Sequence, residues 1–363
     1  FQDWEYLFLG ESEKVFWNDG IMNTPAEDGF YMPPDWGPHE RCWMAWPCRL
    51  SAWGESIDHA FLATAGLARA IMHYEPVSML VPPQLVPVAR LQLGNLVTIV
   101  EAELDDSWTR DIAPNFLIDN DGGLAGAVFE FNAWGNKFSD YRSDANLGKW
   151  ILKELDLPCY HVPMTLEGGS IHVDGSGTLI TTESVTLNTD RNPTLDKRQI
   201  EERFAMFFGV RKVIWLLDGL VGDRTDGQVN KVARFIAPGR MICAMASEHS
   251  DPNYANLSDN LFQLGKERDA LGRPIEIVEL PLPSPLQGAD GRYLTRSYLD
   301  FYLGKGAVFV PAFDDAMDGR AAELIGTAFP DKEVVQLDMA EISHRGGAIH
   351  CMTQQQPKVR QTQ

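Results

Sequence analysis

The sequence predicts an α/β fold built by repetition of one supersecondary unit, and three observations predict it. Short β-type apolar runs alternate with amphipathic helical stretches through the middle of the chain. Polar, Gly-bearing clusters fall near residues 108, 169, 226 and 348, so the first gaps are roughly 60 residues and the last is about twice that. No low-complexity segment or obvious linker breaks the series. Regular spacing of such units is the signature of a repeat architecture. About five ββαβ-like modules around an axis would bring their strand-end loops to one centre, and the long last gap leaves room for a repeat near TRSYLDFYLGKGAVFV. An ordinary α/β domain whose Gly-rich turns merely join strands to helices would show the same alternation, so spacing alone leaves both open.

The elements follow in order. SAWGESIDHAFLATAGLARAIMHYE reads as a helix with Ile57, Phe61, Ala65, Leu67 and Ile71 on its apolar face, and PVSMLVP as a buried strand after it. LVTIVEAEL is a strand followed by the helix ANLGKWILKELDL, and GTLITTES is a strand followed by the helix LDKRQIEERFAMFFG. KVIWLL and MICAMAS are strands, with YANLSDNLFQLGKERDALG as the next helix. GAVFVPAF and RAAELIGTAF close the series as strand and helix.

Composition limits the function. Hydrophobic residues at 44% and charged residues at 23% describe a globular chain, and no apolar run is long enough to span a bilayer. A formal charge of -20 argues against nucleic acid or an anionic membrane as partner, because those depend on clustered Lys and Arg. Five scattered cysteines without a C-x-x-C pair fit a reducing cytoplasm better than a disulfide framework. Eight dispersed histidines give no zinc-ligand spacing, so no metal and no cofactor is expected. Residues 1–21 lack the basic and then apolar pattern of a signal peptide. They read as an N-terminal extension or remnant, packed on a partner or over a site through Trp4, Tyr6, Phe8 and Trp17, ahead of a single domain at 22–363.

Four clusters carry chemistry. WTRD holds Trp108, Arg110 and Asp111; EGGSIHVDG holds Glu167, His172 and Asp174; TDGQVN holds Asp226, Gln228 and Asn230; RGGAIHC holds Gly347, His350 and Cys351. Each alone has a bland reading as a turn, a local salt bridge or an inert buried thiol. If the last stretch is extended, His350 points away from Cys351, because neighbouring side chains of a strand face opposite sides.

Together with DGFYMPPDWGPHERCWMAWP, FNAWGNKF, DRNPTLDKRQIEERF, VPAFDD and GGAIHCMTQQQP, these segments resemble the agmatine deiminase family, within the wider peptidylarginine deiminase and guanidine-modifying group. The resemblance runs from about residue 22 to 358, with the motifs in the family's order. It implies a pentein-like, five-module α/β propeller with the site at its centre, a metal-independent cysteine mechanism and a homo-oligomer. By motif, Cys351 is the nucleophile, Asp111 and Glu167 are carboxylates gripping the guanidine, Trp108 lines the pocket and Gly347 belongs to the substrate-binding turn. The residue types suit the reaction. A carbon bonded to three nitrogens is a poor electrophile, and two carboxylates on its N–H edges fix its orientation and favour a more positive carbon.

One stretch departs from the pattern. Where the family has D-G-H-x-D, this chain has Asp226, Gly227, Gln228, Val229 and Asn230. Gln cannot shuttle a proton at neutral pH and Asn carries no negative charge. The neighbouring Lys231, where the family pattern has Asn, fits natural divergence. Three readings follow. The chain hydrolyses a weakly basic or neutral guanidine such as nitroguanidine, with Gln228 and Asn230 giving neutral hydrogen bonds. Alternatively it is an agmatine deiminase in which His172 or His350 does the proton work. In the third reading it is a non-catalytic guanidine-binding relative.

Overall fold

A computed structural model describes residues 23–359 and, as backbone only, the paired strands β1 (Phe16–Trp17) and β2 (Gly20–Ile21). The proposed extension over 1–21 lies outside the described residues apart from those two strands. The first module contains β3 (His39–Ala45), a helix over Ile57–Met72, β4 (Val77–Val81), a helix over Val86–Leu93 and β5 (Thr98–Glu101), with the three strands parallel. In the second, β6 (Asn115–Ile118) pairs antiparallel with β7 (Leu124–Glu130), and a helix over Arg142–Glu154 crosses to the parallel β8 (Cys159–Thr165).

Three further modules repeat that plan. Strand β9 (His172–Val173) pairs antiparallel with β10 (Thr178–Thr182), and a helix over Lys197–Phe208 leads to the parallel β11 (Lys212–Leu216). Strands β12 (Ala233–Ala237), β13 (Arg240–Met245) and β14 (Glu276–Pro281) follow around the helix Tyr254–Leu264. Strands β15 (Tyr302–Leu303), β16 (Ala307–Ala312) and β17 (Glu333–Asp338) follow around the helix Asp318–Ala328. The first module still lacks an antiparallel strand, and the end of the chain supplies it: β18 (Gln354–Pro357) lies against β3 in the register Gln354↔Trp43 and Gln355↔Cys42. Five ββαβ modules thus form a closed ring, as the resemblance implied and as one of the two readings of the spacing had it.

Local chemistry explains the elements. The helix Lys197–Phe208 begins with a capping box between Asp196 and Gln199, ends at Gly209 with φ 67°, and buries Ile200, Phe204, Phe207 and Phe208 at helical spacing. The expected long first helix is broken, because Gly54 at φ 52° ends a short turn over Leu50–Trp53 before Ile57–Met72 begins. The helix at 254 stops at Leu264 instead of reaching Gly272. The Asp269 side chain takes the backbone N–H groups of Leu271 and Arg273, which competes with helix. Among the described residues no helix is long and apolar enough to cross a membrane.

The closing strand is held by side chains as well as by its ladder. The buried Trp43 indole donates to Gln356 Oε1 at 3.0 Å, Gln354 Nε2 donates to Pro114 O at 2.8 Å, and Arg110 Nη2 donates to Gln355 Oε1 at 2.7 Å. Replacing Gln356 by Leu leaves the Trp43 N–H buried without a partner. The expected cost is about 1–3 kcal/mol, read as a lower denaturant midpoint with an unchanged slope.

Candidate active site

Four of the five modules present a candidate side chain from the same place, the turn just ahead of the antiparallel strand. Asp111 lies in the turn Thr109–Ile112 before β6, Glu167 precedes the turn Gly168–Ser170 before β9, Gln228 and Asn230 flank Val229 before β12, and Cys351 precedes β18. The segment around Cys351 is not extended. Met352 N–H reaches back to Ala348 O and Ile349 O, and Thr353 N–H to His350 O, so residues 349–352 form a turn. The expectation that an extended chain separates His350 from Cys351 is therefore corrected: both side chains meet the same amide. Asn230 Nδ2 lies 3.1 Å from His350 Nδ1 and 3.6 Å from Cys351 Sγ.

The two carboxylates sit side by side and buried. Asp111 Oδ1 accepts from Gly169 N–H and Gln228 Nε2, each at 3.1 Å, and Oδ2 accepts from the Trp134 indole at 2.8 Å. Burial, and then the charge of Glu167, push Asp111 up to about 6 despite those donors. Glu167 is fully buried, with Oε1 paired to Arg191 Nε at 2.8 Å and Oε2 facing Ser170 Oγ and Gln228 Nε2. Gln228 therefore bridges the carboxylates as a neutral donor. With both NH2 groups directed at these neighbours, Gln228 Oε1 and Asn230 Oδ1 remain buried acceptors without partners among the described residues.

Cys351 is buried against a third carboxylate that sequence reasoning did not single out. Its thiol donates to Asp300 Oδ2 at 3.3 Å and its backbone N–H to Asp300 Oδ1 at 3.0 Å. Burial, then Asp300, hold the thiol well above its ordinary range, while the nearby Lys231 opposes them. Lys231 is itself fully buried, bonded to Asp223 Oδ1 and Gly346 O at 2.7 Å each. Arg191 and Trp134 are two more members that only the quoted motifs DRNP and FNAWGNKF could have flagged. Trp134 sits in a run of left-handed residues, at φ 58°, that aims its indole at Asp111.

A cavity of about 530 Å³ opens onto this group, lined by Trp53, Trp108, Asp111, Trp134, Gly347 and Cys351 among others. Asp106 takes the indole N–H of both Trp53 and Trp108, which stack at 5.9 Å. Gly347 is a packing requirement, since a Cβ there would lie 2.4 Å from Trp108 and 2.9 Å from Cys351 Cβ. The histidines offered as substitute acid/bases face elsewhere. His172 uses both nitrogens on Asp35 and Phe235 N–H, and neither it nor His350 lines the cavity. Burial and the charges of Arg110 and Arg234 hold His350 well below the usual imidazole value. Among the described residues no group of three or more His, Cys, Asp or Glu side chains is arranged to hold a metal ion.

Known proteins share this architecture. The agmatine deiminase of Stutzerimonas stutzeri is 39% identical over 360 residues, covering 93% of this chain and 98% of the relative. The solved agmatine deiminase of Enterococcus faecalis superposes with a TM-score of 0.89 at 34% identity, covering 93% of this chain and 98% of that one. The DDAH of Pseudomonas aeruginosa, at 14% identity and a TM-score of 0.50, shares the fold alone. The relatives that carry the name agmatine deiminase are hydrolases of carbon–nitrogen bonds. Residues 31–357 match the model of the Porphyromonas-type peptidyl-arginine deiminases, and the chain belongs to that family.

Proposed function

We propose that this chain hydrolyses a carbon–nitrogen bond of a small guanidino compound and releases ammonia, with Cys351 as nucleophile. One observation carries the reading: the Cys351 thiol and the Asp111 carboxylate line the same cavity, and the Glu167 carboxylate and the unbonded Gln228 and Asn230 oxygens form a ring of buried acceptors beside them. A guanidine is planar and presents N–H donors along its edges. Such a ring would orient it and draw positive charge onto its carbon. Sulfur then attacks perpendicular to the plane, the C–S bond forms, and the C–N bond breaks as ammonia leaves with an added proton. Water attacks the resulting S-alkylthiouronium carbon, the C–S bond breaks, and the urea-type product departs.

The relatives' names favour agmatine as that compound, with N-carbamoylputrescine as product. They support this alternative better than nitroguanidine, which none of the relatives described above names. A specific observation nevertheless keeps a weakly basic substrate as the second reading. The cavity wall carries Lys137, Arg224, Arg292 and Arg345 as well as its acids, and Asn230 beside the thiol is neutral. A second positive charge, such as an alkylammonium tail, would meet those cations. A neutral guanidine would not.

Ammonia release from agmatine, nitroguanidine, arginine and guanidine separates the readings. Turnover of agmatine supports the first and turnover confined to nitroguanidine the second; silence on all of them rejects both. Cys351→Ala is expected to abolish whichever turnover is found, and a fully active variant would remove Cys351 from the chemistry. The double variant Gln228→His, Asn230→Asp is expected to raise agmatine over nitroguanidine preference by about tenfold or more, corresponding to about 1.4 kcal/mol.

Asp111 sets the acid side of the pH profile for a cationic substrate. As pH falls through about 6 its carboxylate protonates and kcat/KM falls. The free protein shows the opposite linkage. A folded value above the ordinary 3.8 adds stability that is present at low pH and lost as pH rises through about 6. Trp134→Phe removes a hydrogen bond to the charged form, so the acid limb should move toward neutral pH. An unmoved limb in the pH-rate profile would assign it to another group.

A further inference from the structure

The geometry points to Asp300 as the base that takes the Cys351 thiol proton and passes it to the departing nitrogen. This rests on the reading of Cys351 as nucleophile. Asp300 stands immediately ahead of the β15 module, where the other modules present Asp111, Glu167, the Gln228–Asn230 pair and Cys351. The fifth turn thus brings its own polar group to the centre. Gln228, an amide, cannot do the proton work, His172 is engaged by Asp35 and Phe235 N–H, and His350 turns Nδ1 to the Asn230 amide.

The contact is direct and fixed. Oδ2 receives the Cys351 thiol at 3.3 Å while Oδ1 receives the Cys351 backbone N–H at 3.0 Å. The Asp300 carbonyl accepts from His350 N–H at 3.0 Å, and Arg234 Nη1 grips the flanking carbonyls of Leu299 and Phe301 at 2.8 and 2.5 Å. The backbone around Asp300 is thereby held, and the Cys351 N–H keeps the carboxylate against the sulfur.

Other charged groups facing the thiol are less suited to the task. Lys231 is a cation held by Asp223 and Gly346 O, and Asp111 already accepts three N–H donors. His350 Nδ1 faces the Asn230 amide. Burial pushes Asp300 above the ordinary carboxyl range, although Lys231, the Cys351 contacts and Arg234 pull the other way. A carboxylate with increased proton affinity is a better acceptor for a thiol proton. Lys231 meanwhile offsets the charge that develops on sulfur.

The protons balance. As the S–C bond forms, the thiol proton moves to Asp300 Oδ2, and the π bond between the guanidine carbon and one nitrogen breaks with its electron pair moving onto that nitrogen. Asp300 gives that proton to the leaving amino group, the C–N bond breaks and ammonia departs. Water then gives a proton to Asp300 as its oxygen bonds to the carbon. When the C–S bond breaks, the sulfur recovers that proton, and thiol and carboxylate are restored.

The test is Asp300→Asn, which keeps the shape and an acceptor for Cys351 N–H. Alkylation of Cys351 by iodoacetamide needs no substrate. In the unmodified protein its rate is expected to level off below the thiol titration, and in D300N to fall about tenfold per pH unit throughout, because only free thiolate then reacts. Ammonia release in D300N should drop by about 10²–10⁴ in kcat/KM, while substrate affinity measured in a Cys351→Ser background stays within about threefold. Parallel alkylation profiles, or D300N turnover within about threefold of the parent, would overturn the proposal. Should D300N not fold, the solvent deuterium isotope effect on alkylation of the parent decides: a clear normal effect on the plateau supports base assistance, and none overturns it. A parent protein silent on every guanidine rejects the proposed function, whereas the alkylation profiles still judge Asp300.

Discussion

The pairing of β18 with β3 is the constraint on which the site depends. It joins the two ends of the described chain across more than 300 residues, with Gln354 opposite Trp43 and Gln355 opposite Cys42. Cys351 lies just upstream of that strand, so the register of one short ladder fixes where the proposed nucleophile stands relative to Asp111, Glu167 and Asp300. A strand of four residues would be a weak clamp by its backbone alone. The buried glutamines compensate, because each reaches a different part of the ring: Gln354 the Pro114 carbonyl, Gln355 both Arg110 and Asp35, and Gln356 the Trp43 indole.

Charge is distributed unevenly over the centre. Glu167 is paired with Arg191, Asp223 with Lys231, and Asp226 with Arg191 and Lys137. Asp111 receives hydrogen bonds only from neutral groups and takes part in no salt bridge among the described residues. It is accordingly the carboxylate whose value burial and Glu167 raise to about 6. Positive charge on a bound guanidine would relieve that strain at Asp111 first, so the same imbalance that weakens the empty site favours the filled one.

Much of this was legible in the sequence, and the gaps have physical causes. The cluster spacing was consistent with the ring, which the ordered motifs implied, because each module repeats the same turn ahead of the same strand pair. Short strands such as His172–Val173 and Tyr302–Leu303 carry no periodicity to read, and the closing strand QQQP is polar despite being buried. The sequence-based candidates Asp111, Glu167, Gln228, Asn230 and Cys351 converge, with Trp108 and Gly347 on the cavity wall. Asp300 lay in the segment already marked as a missing repeat. A lone Asp between Leu299 and Phe301 has no local pattern, and only the fold brings it against a cysteine 51 residues away.

The amides at 228 and 230 acquire a consistent meaning when taken with Asp300 and Lys231. A carboxylate at 230 would stand where Asn230 Nδ2 now donates toward the Cys351 sulfur, and it would repel a developing thiolate instead of bonding to it. His350 fixes the amide's direction by accepting from the same nitrogen. Its neutral ring leaves a proton on Nε2, which faces Asp35 Oδ2 at 3.5 Å. Asp35 is in turn anchored by Arg234 at 2.7 Å, the residue that also grips the backbone on both sides of Asp300. One buried network therefore orients the amide that bonds the sulfur and holds the backbone of the carboxylate that accepts the thiol hydrogen bond. In this chain a carboxylate stands on the proton-accepting side of the thiol and a neutral amide on the other, the arrangement proposed to activate Cys351 without an imidazole.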